Sequence, residues 1–224
     1  MTEGHFASGK GADVWSDRAQ LYRDSAAHRE GPDLDLLVEW AQESGVRTAL
    51  DVATGGGHVA RRLREIGLPV VTTDAAPGMQ PDVSTRAEHL PFADGSFDAV
   101  VTRVAAHHFD DPAAAVREMA RVSAGLVLVV DNLFMSDEAE EADRLRDPSH
   151  VRNYTEAEWR GMLEAAGLAV EDVRHFDKPI ELEPWLARTD CAGSDAARVR
   201  ELLADRIDDG WVRLERIALK GCRS

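Results

Sequence analysis

A doubly wound α/β fold is what this sequence predicts, and three observations carry it. Thr48 to Val52 form a short strand-like run, apolar apart from Thr48 and Asp51, that must stop at Gly55-Gly56-Gly57, where a helical pattern takes over. Residues 97–102 and 125–131 are near-continuous apolar runs, the mark of strands covered on both faces and hence of a parallel sheet. Between such runs the apolar spacing switches to the helical period, so strand and helix alternate along one domain.

The elements follow in order. Residues 1–12 are small and polar and are expected to fray. Residues 13–29 read as a helix with Trp15, Ala19 and Tyr22 on one stripe, broken by Gly31-Pro32. Pro32 suits the first turn of a second helix that turns Leu36, Leu37 and Trp40 inward. The strand 48–52 leads to a helix over 57–66, with Val59, Leu63 and Ile66 on one face and Gly67 as its stop. A strand over 68–74, a short third strand near 83–87 and a strand over 97–102 come next. Asp111-Pro112 opens a helix that runs through Val122, with Asp as cap and Pro in the first turn. After the strand 125–131, residues 136–146 form a charged helix whose acids Asp137, Glu138, Glu140 and Glu141 read as a solvated face. Thr155 to Glu158 make a capping box before Trp159, Met162, Leu163 and Ala166, and Gly167 ends that helix. A strand over 168–174, an acidic helical stretch and a strand over 211–219 complete the chain. Trp40, Trp159, Trp185 and Trp211 read as packing residues.

Composition narrows the function. The 224 residues carry 26 basic and 41 acidic side chains, a formal charge of −15. Such a chain repels a polyanion, which excludes a sequence-independent grip on nucleic acid and disfavours an anionic membrane surface. The two cysteines, Cys191 and Cys222, form no CxxC pair, so neither a zinc knuckle nor a redox motif is expected. The histidines lack metal-ligand spacing, and no metal is expected. The N-terminal stretch has no apolar signal-peptide core and no run is long enough to span a bilayer, so a cytoplasmic protein without membrane insertion is expected.

Gly55-x-Gly57-x-x-Ala60 satisfies the dinucleotide pattern, and Asp74, 19 residues after Gly55, is placed to accept hydrogen bonds from ribose hydroxyls. NAD and S-adenosylmethionine fit both facts equally. Asp51 favours the second, since it would welcome the cationic amino-acid end of that ligand, and no second dinucleotide half is present.

The block Ala87 to Val101, containing Leu90-Pro91-Phe92, resembles the stretch linking the third and fourth strands of class I S-adenosylmethionine-dependent methyltransferases. Together with Asp51 to Ala60 it makes two ordered, correctly spaced matches, and the resemblance runs from about Thr48 to the C-terminus. It is closest to the ubiquinone/menaquinone biosynthesis methyltransferase-like (methyltransferase type 11) subgroup, through Arg103 to Pro112, Arg146 to Arg152 and Trp185 to Arg188. The last two stretches resemble an uncharacterised bacterial branch.

The resemblance implies a Rossmann-like seven-stranded sheet of order 3-2-1-4-5-7-6 with strand 7 antiparallel, formed here by 211–219. It implies one domain over 1–224: cap helices over 1–45, a cofactor-binding core over 46–132, a lid segment over 133–160 and sheet completion over 161–224. The implied cofactor is S-adenosyl-L-methionine, with S-adenosyl-L-homocysteine as product and a small molecule as methyl acceptor. By resemblance Gly55 and Gly57 pass close to the methionine and ribose, with Thr54 in the same loop, and Asp51 lies near the amino group. Asp74 would bind the ribose hydroxyls, Ala75 and Met79 would flank adenine, and Ala87 would meet its edge with Glu88 beside it. Arg103 would present its carbonyl to the amino group, and Tyr22 of the cap would reach the cofactor.

Two departures bear on the adenine end. Only eight residues, Ala75 to Asp82 with two prolines, bridge the second and third strands where relatives place a helix, and Arg86 replaces the usual acid before Ala87-Glu88. For catalysis, His107 and His108 follow the fourth strand at the edge where such sheets bind ligands. One of the pair would face the methyl group as a base; the competing reading packs one under the cofactor and the other against the helix at Asp111. His150 lies in the lid segment, either at the substrate or in a solvated loop with Arg144, Arg146 and Asp147. His58 sits at a helix start. Two other functions fit the same pocket: a cofactor-binding accessory or regulatory protein without turnover, and a nicotinamide-dependent oxidoreductase.

Overall fold

The computed structural model describes residues 15, 16, 19, 20, 23 and 29–223. Its centre is an eight-stranded sheet: β1 (Ala49–Val52), β2 (Val70–Asp74), β3 (Val83–Ser84), β4 (Phe97–Arg103), β5 (Ser123–Asn132), β6 (Leu168–Glu181), β7 (Ile207–Asp208) and β8 (Trp211–Arg223). The order is β3-β2-β1-β4-β5-β8-β6, with β7 paired to β8 outside that path. Strands β1 to β5 pair in parallel, and β8 runs antiparallel to both β5 and β6. With β8 in the place of strand 7, this is the order expected from the sequence.

Side-chain alternation splits the core in two. Ala49, Val101, Leu128, Val130 and Ala218 face α1 (Pro32–Glu43) and α2 (His58–Glu65), packing on Leu34, Leu37, Trp40, Val59 and Leu63. Their neighbours Leu50, Val100, Val127, Val129, Ile217 and Leu219 face α3 (Pro112–Val122) and α5 (Glu156–Ala165), packing on Val116, Met119, Trp159 and Leu163. A third apolar cluster lies beyond the sheet's centre. Ile180 of β6 with Val212 and Leu214 of β8 packs on Ala139 and Ala142 of α4 (Asp137–Arg146), Trp185 of α6 (Leu182–Ala187) and Val199 of α7 (Gly193–Leu202).

The expected caps form. Asp111 accepts from the Ala114 N–H at 2.9 Å, and Thr155 and Glu158 close a reciprocal capping box. The β2–β3 connection holds only a 3₁₀ turn, Pro77–Met79. Several expectations are corrected. β3 is two residues long. β6 does not stop at 174 but runs to Glu181, because the similarly long β8 pairs with it as far as Trp211; Pro179 is tolerated on this edge strand. The acidic helical stretch after it resolves into α6 and α7. Trp211 is 44% exposed at the tip of β8, not packed. Glu140 is not on a solvated face: it is buried, as are Asp143 and Asp147. No helix among the described residues is long and apolar enough to cross a membrane.

Candidate active site

The carboxyl edge of β1 and β2 is built around two acids. After β1 the chain turns through Ala53 (φ 55°), Gly55 (φ 52°) and Gly57 (φ 74°) before entering α2. Glycine is at home in this left-handed region, whereas alanine at position 53 is held there by the loop around it. Asp51 is buried, and its Oδ2 accepts from Thr54 Oγ1 at 2.6 Å and from the Ala60 N–H at 3.1 Å, fastening loop and helix to the strand. On the neighbouring strand, Asp74 Oδ2 accepts from the Gly55 N–H and Oδ1 from the Ala76 N–H, each at 2.9 Å.

A Cβ added to Gly55 or Gly57 would meet nothing within 4 Å, so the space over the loop is open. A carboxylate offers about four lone-pair sites, so Asp74 can accept two hydroxyls beyond its two N–H bonds. The corner therefore fits a ligand carrying a vicinal diol. Burial pushes the Asp51 carboxyl up to about 6, helped by the nearby Asp74 charge and opposed by the Thr54 and Ala60 bonds. Its ionisation costs the ligand-free fold stability as pH rises from about 3.8 to 6, on the order of 3 kcal/mol at neutral pH. Asp51→Asn keeps an oxygen acceptor for Thr54 and Ala60 without the charge. Its ligand-free melting temperature at pH 7 should exceed that of the wild type by several degrees; an unchanged or lower calorimetric melting point would contradict this account.

At the adenine end expected from the sequence, Met79 is buried against Ala76 and Ala19, Ala75 is exposed and Ala87 is buried. Ser16 accepts from the Gly78 N–H, so this residue lies on the turn. Glu88 is held away from solvent by other tasks. Its Oε1 accepts from the N–H groups of Asp110 and Asp111, and Arg86 bridges Glu88 to Asp110. Arg86 thus braces the approach to α3. Tyr22 lies outside the described residues.

Arg103, ending β4, turns its side chain to the α1 face. Its Nε donates to Asp33 Oδ2 at 2.8 Å, and Arg216 Nη1 of β8 donates to the same oxygen at 3.1 Å. All three groups are buried.

On the opposite face, the three histidines singled out in the sequence converge. Ring centroids lie 4.0 Å apart for His107 and His108, 5.6 Å for His107 and His150, and 6.4 Å for His108 and His150. Trp15 of the N-terminal helix meets His108 edge-on at 4.6 Å. His150 pairs through Nε2 with Glu140 at 2.6 Å, and Glu140 also takes the Asn153 N–H. The 147–154 segment is thereby strapped over β4: the N–H groups of Val151 and Arg152 both donate to the His107 carbonyl. His150 is not in a solvated loop, and Asp147, Arg146 and Glu140 do not merely face water. His108 Nδ1 lies 3.1 Å from the Ser149 carbonyl, and burial, with the neighbouring His107 charge, lowers its pKa well below the ordinary value, so the ring is neutral at pH 7. His58 is buried at the start of α2. Among the described residues no group of three His, Cys, Asp or Glu is arranged to hold a metal ion.

Sequence reasoning did not reach Asp131, Glu140, Asp33 or Arg216 as site-forming groups. For Asp131 a signal existed, since it is the one acid closing the otherwise apolar run 125–131.

Comparison with known proteins decides the family. The profile described as a methyltransferase domain matches residues 50–128. YcgJ of Bacillus subtilis, named an uncharacterized methyltransferase, is 34% identical over 211 residues, spanning 84% of this chain and 82% of YcgJ. The chain belongs to the class I S-adenosylmethionine-dependent methyltransferases. Within that class it is of the menaquinone-biosynthesis-like type, and S-adenosylmethionine is the cofactor that goes with it. The crystal structure of YcgJ superposes on this methyltransferase with a TM-score of 0.76, covering 85% of this chain and 97% of YcgJ. A candidate methyltransferase of Bacillus halodurans superposes with a TM-score of 0.73 at 30% identity, covering 86% of this chain and 99% of that one.

Proposed function

We propose that this methyltransferase acts on a small-molecule acceptor. The observation that carries the reading is the open glycine corner between Asp51 and Asp74, one strand away from the histidine cluster that follows β4. β1 lies between β2 and β4, with Val52 in register with both Thr73 and Thr102, so the Gly55 loop borders both sites. The net charge of −15 argues against a polyanionic acceptor.

S-adenosylmethionine supplies an electrophilic methyl group on a sulfonium. Asp74 takes the ribose hydroxyls, Gly55 and Gly57 with Thr54 let the backbone approach the methionine and ribose, and Asp51 sets a negative field for the amino group. The Arg103 carbonyl serves the same amino group. Ala75, Met79 and the Ala87 backbone flank adenine, with Glu88 bracing that edge, and Tyr22 completes the cover. The 133–160 segment closes the acceptor side, with His107, His108 and His150 beside the methyl group. Aligning the two reactants in such a site contributes roughly 7–11 kcal/mol to the rate.

Isothermal titration of the full chain with S-adenosylhomocysteine tests this. Micromolar binding is expected, and absence of binding overturns the reading. Binding without methylation across a broad panel of small acceptors would instead support an accessory protein that keeps the pocket, and a change in NADH fluorescence on mixing would support the oxidoreductase.

A further inference from the structure

Cations from three strands meet on the α1 face, where the β6–β8 ribbon passes the carboxyl edge of the sheet. Arg216 of β8 stands opposite Asn132, the last residue of β5, and opposite Phe176 of β6. Lys178, two residues on from Phe176, therefore shares the face of Arg216. Arg103, the last residue of β4, reaches the same place. Asp33 is the acid they share, but its Oδ2 is already divided between Arg103 and Arg216. Lys178 makes no hydrogen bond or ion pair among the described residues. Arg216 Nε is buried and donates to nothing among them. Asp131 also acts on Arg216, but from the other face, where its Oδ1 lies 2.5 Å from His107 Nδ1.

Positive charge is in surplus around Asp33. Burial lowers the Lys178 ammonium below its ordinary value, and the charges of Arg216, Arg103 and Arg188 add to this while Asp33 opposes it. Holding such cations together out of water costs stability that an anion would restore. The backbone also leaves the ammonium clear. A Cβ on Gly31 (φ 145°) would lie 3.5 Å from Lys178 Nζ and 2.6 Å from Asp33 Oδ1, so only glycine lets the chain pass this close to the pair. Lys178 is half-buried, whereas Arg103 and Arg216 are buried. An arriving ligand meets the ammonium and feels the guanidinium charges.

We propose that Lys178, in the field of Arg216 and Arg103, anchors a carboxylate of the methyl acceptor. The proposal rests on the methyltransferase reading and names the acceptor class: a small carboxylic acid, methylated at another atom. The cluster is well placed for this, since the Arg103 charge also acts on Asp51 of the glycine corner. A cationic acceptor is repelled here. A phosphate monoester, close to a dianion at neutral pH, is repelled about twice as strongly as a carboxylate by a chain of charge −15. The bound carboxylate is a handle and not the nucleophile, because its lone pairs and charge are engaged by the cations.

Calorimetric titration of the full chain at low salt, with and without S-adenosylhomocysteine, compares small aromatic and aliphatic carboxylic acids with their primary amides. At least one acid should bind about 10–10²-fold tighter than its amide, the difference being a charge-assisted bond. Lys178→Met should abolish that preference, Lys178→Arg should keep most of it, and neither should change S-adenosylhomocysteine affinity. The sequence holds only three lysines, Lys10, Lys178 and Lys220, so carbon-13 labelling at Cε makes Lys178 readable by NMR. Its signal should titrate below the ordinary lysine value in the free protein and move up when the acid binds. No acid preferred over its amide, a preference that survives Lys178→Met, or a Lys178 signal indifferent to the acid overturns the proposal. Inorganic phosphate binding as tightly as the best acid overturns the choice of a carboxylate. Loss of S-adenosylhomocysteine affinity in Lys178→Met would assign the cluster to the carboxylate of the cofactor itself and overturn the acceptor role, and a methyl ester as product overturns the handle. If S-adenosylhomocysteine fails to bind the wild type, the methyltransferase reading falls, and the acid-over-amide preference measured without it decides separately whether the cluster holds a carboxylate.

Discussion

Asp33→Ala should lower the melting temperature by roughly 6–20 °C, the largest stability loss expected from a single polar side chain here. Asp33 is 1% exposed and accepts from Arg103 and Arg216, both also buried. Burial alone would raise the Asp33 carboxyl, but the Arg216 and Arg103 guanidinium groups outweigh it and hold it below the usual range. Removing the acid leaves two buried cations facing each other. Breaking a buried ion pair from one side costs about 3–5 kcal/mol, and a kilocalorie moves a domain of this size by about 2–4 °C. The triple change Asp33→Leu, Arg103→Met, Arg216→Met should recover most of the loss, because apolar groups of similar volume avoid the desolvation of all three charges. The sign with pH follows from the lowered carboxyl: the contribution is complete above about 3.8 and lost as pH falls through the lowered value. Scanning calorimetry of the three proteins at pH 7 measures it, and a loss below 1 kcal/mol for Asp33→Ala would show that Arg103 and Arg216 find other compensation.

Asp74→Ala should weaken S-adenosylhomocysteine binding by about 10²-fold or more. Hydrogen bonds to a charged acceptor contribute about 1.5–3 kcal/mol each, and the side chain serves two ribose hydroxyls in the proposed site. The same substitution frees the Gly55 and Ala76 N–H groups, so the loop loses its tether to β2 as well. Asp74→Asn separates the two effects, since the amide oxygen keeps one tether and the affinity should fall less. Burial raises the Asp74 carboxyl, so binding should begin to fail on acidification at a higher pH than for an ordinary aspartate. Calorimetric titration of both variants decides the matter; an Asp74→Ala affinity within threefold of wild type would place the ribose elsewhere.

What the sequence made legible follows from local rules. The strands, the Asp111 and Thr155 caps and the shortened β2–β3 connection depend on neighbours a few residues apart, and each could be read from Pro, Gly, Asp and apolar spacing. The glycine corner was readable for the same reason. The misreadings involve distant partners. Glu140 looked solvated because its helix is rich in acids, yet His150 and Asn153 return to cover it. Residues 175–181 lack a clean strand pattern and are extended because β8 pairs with them. Asp33, Arg103 and Arg216 sit far apart in sequence and share one oxygen, a fact that no periodicity encodes. His107 was legible as a candidate and Asp131 stood out as an acid in an apolar run, but their pairing was not legible, since it depends on the parallel register of β4 and β5.

The long ribbon of β6 and β8 has an evolutionary consequence. Its first half completes the cofactor-binding sheet, while its outer half carries an apolar cluster with α4, α6 and α7 that shares no residue with the other two. Substitutions that repack the outer cluster leave the glycine corner and the two acids beside it untouched. The outer cluster can thus be repacked by mutation while the inner sheet is held constant, so substitutions around Val199 should leave the arrangement at Asp51 and Asp74 unchanged.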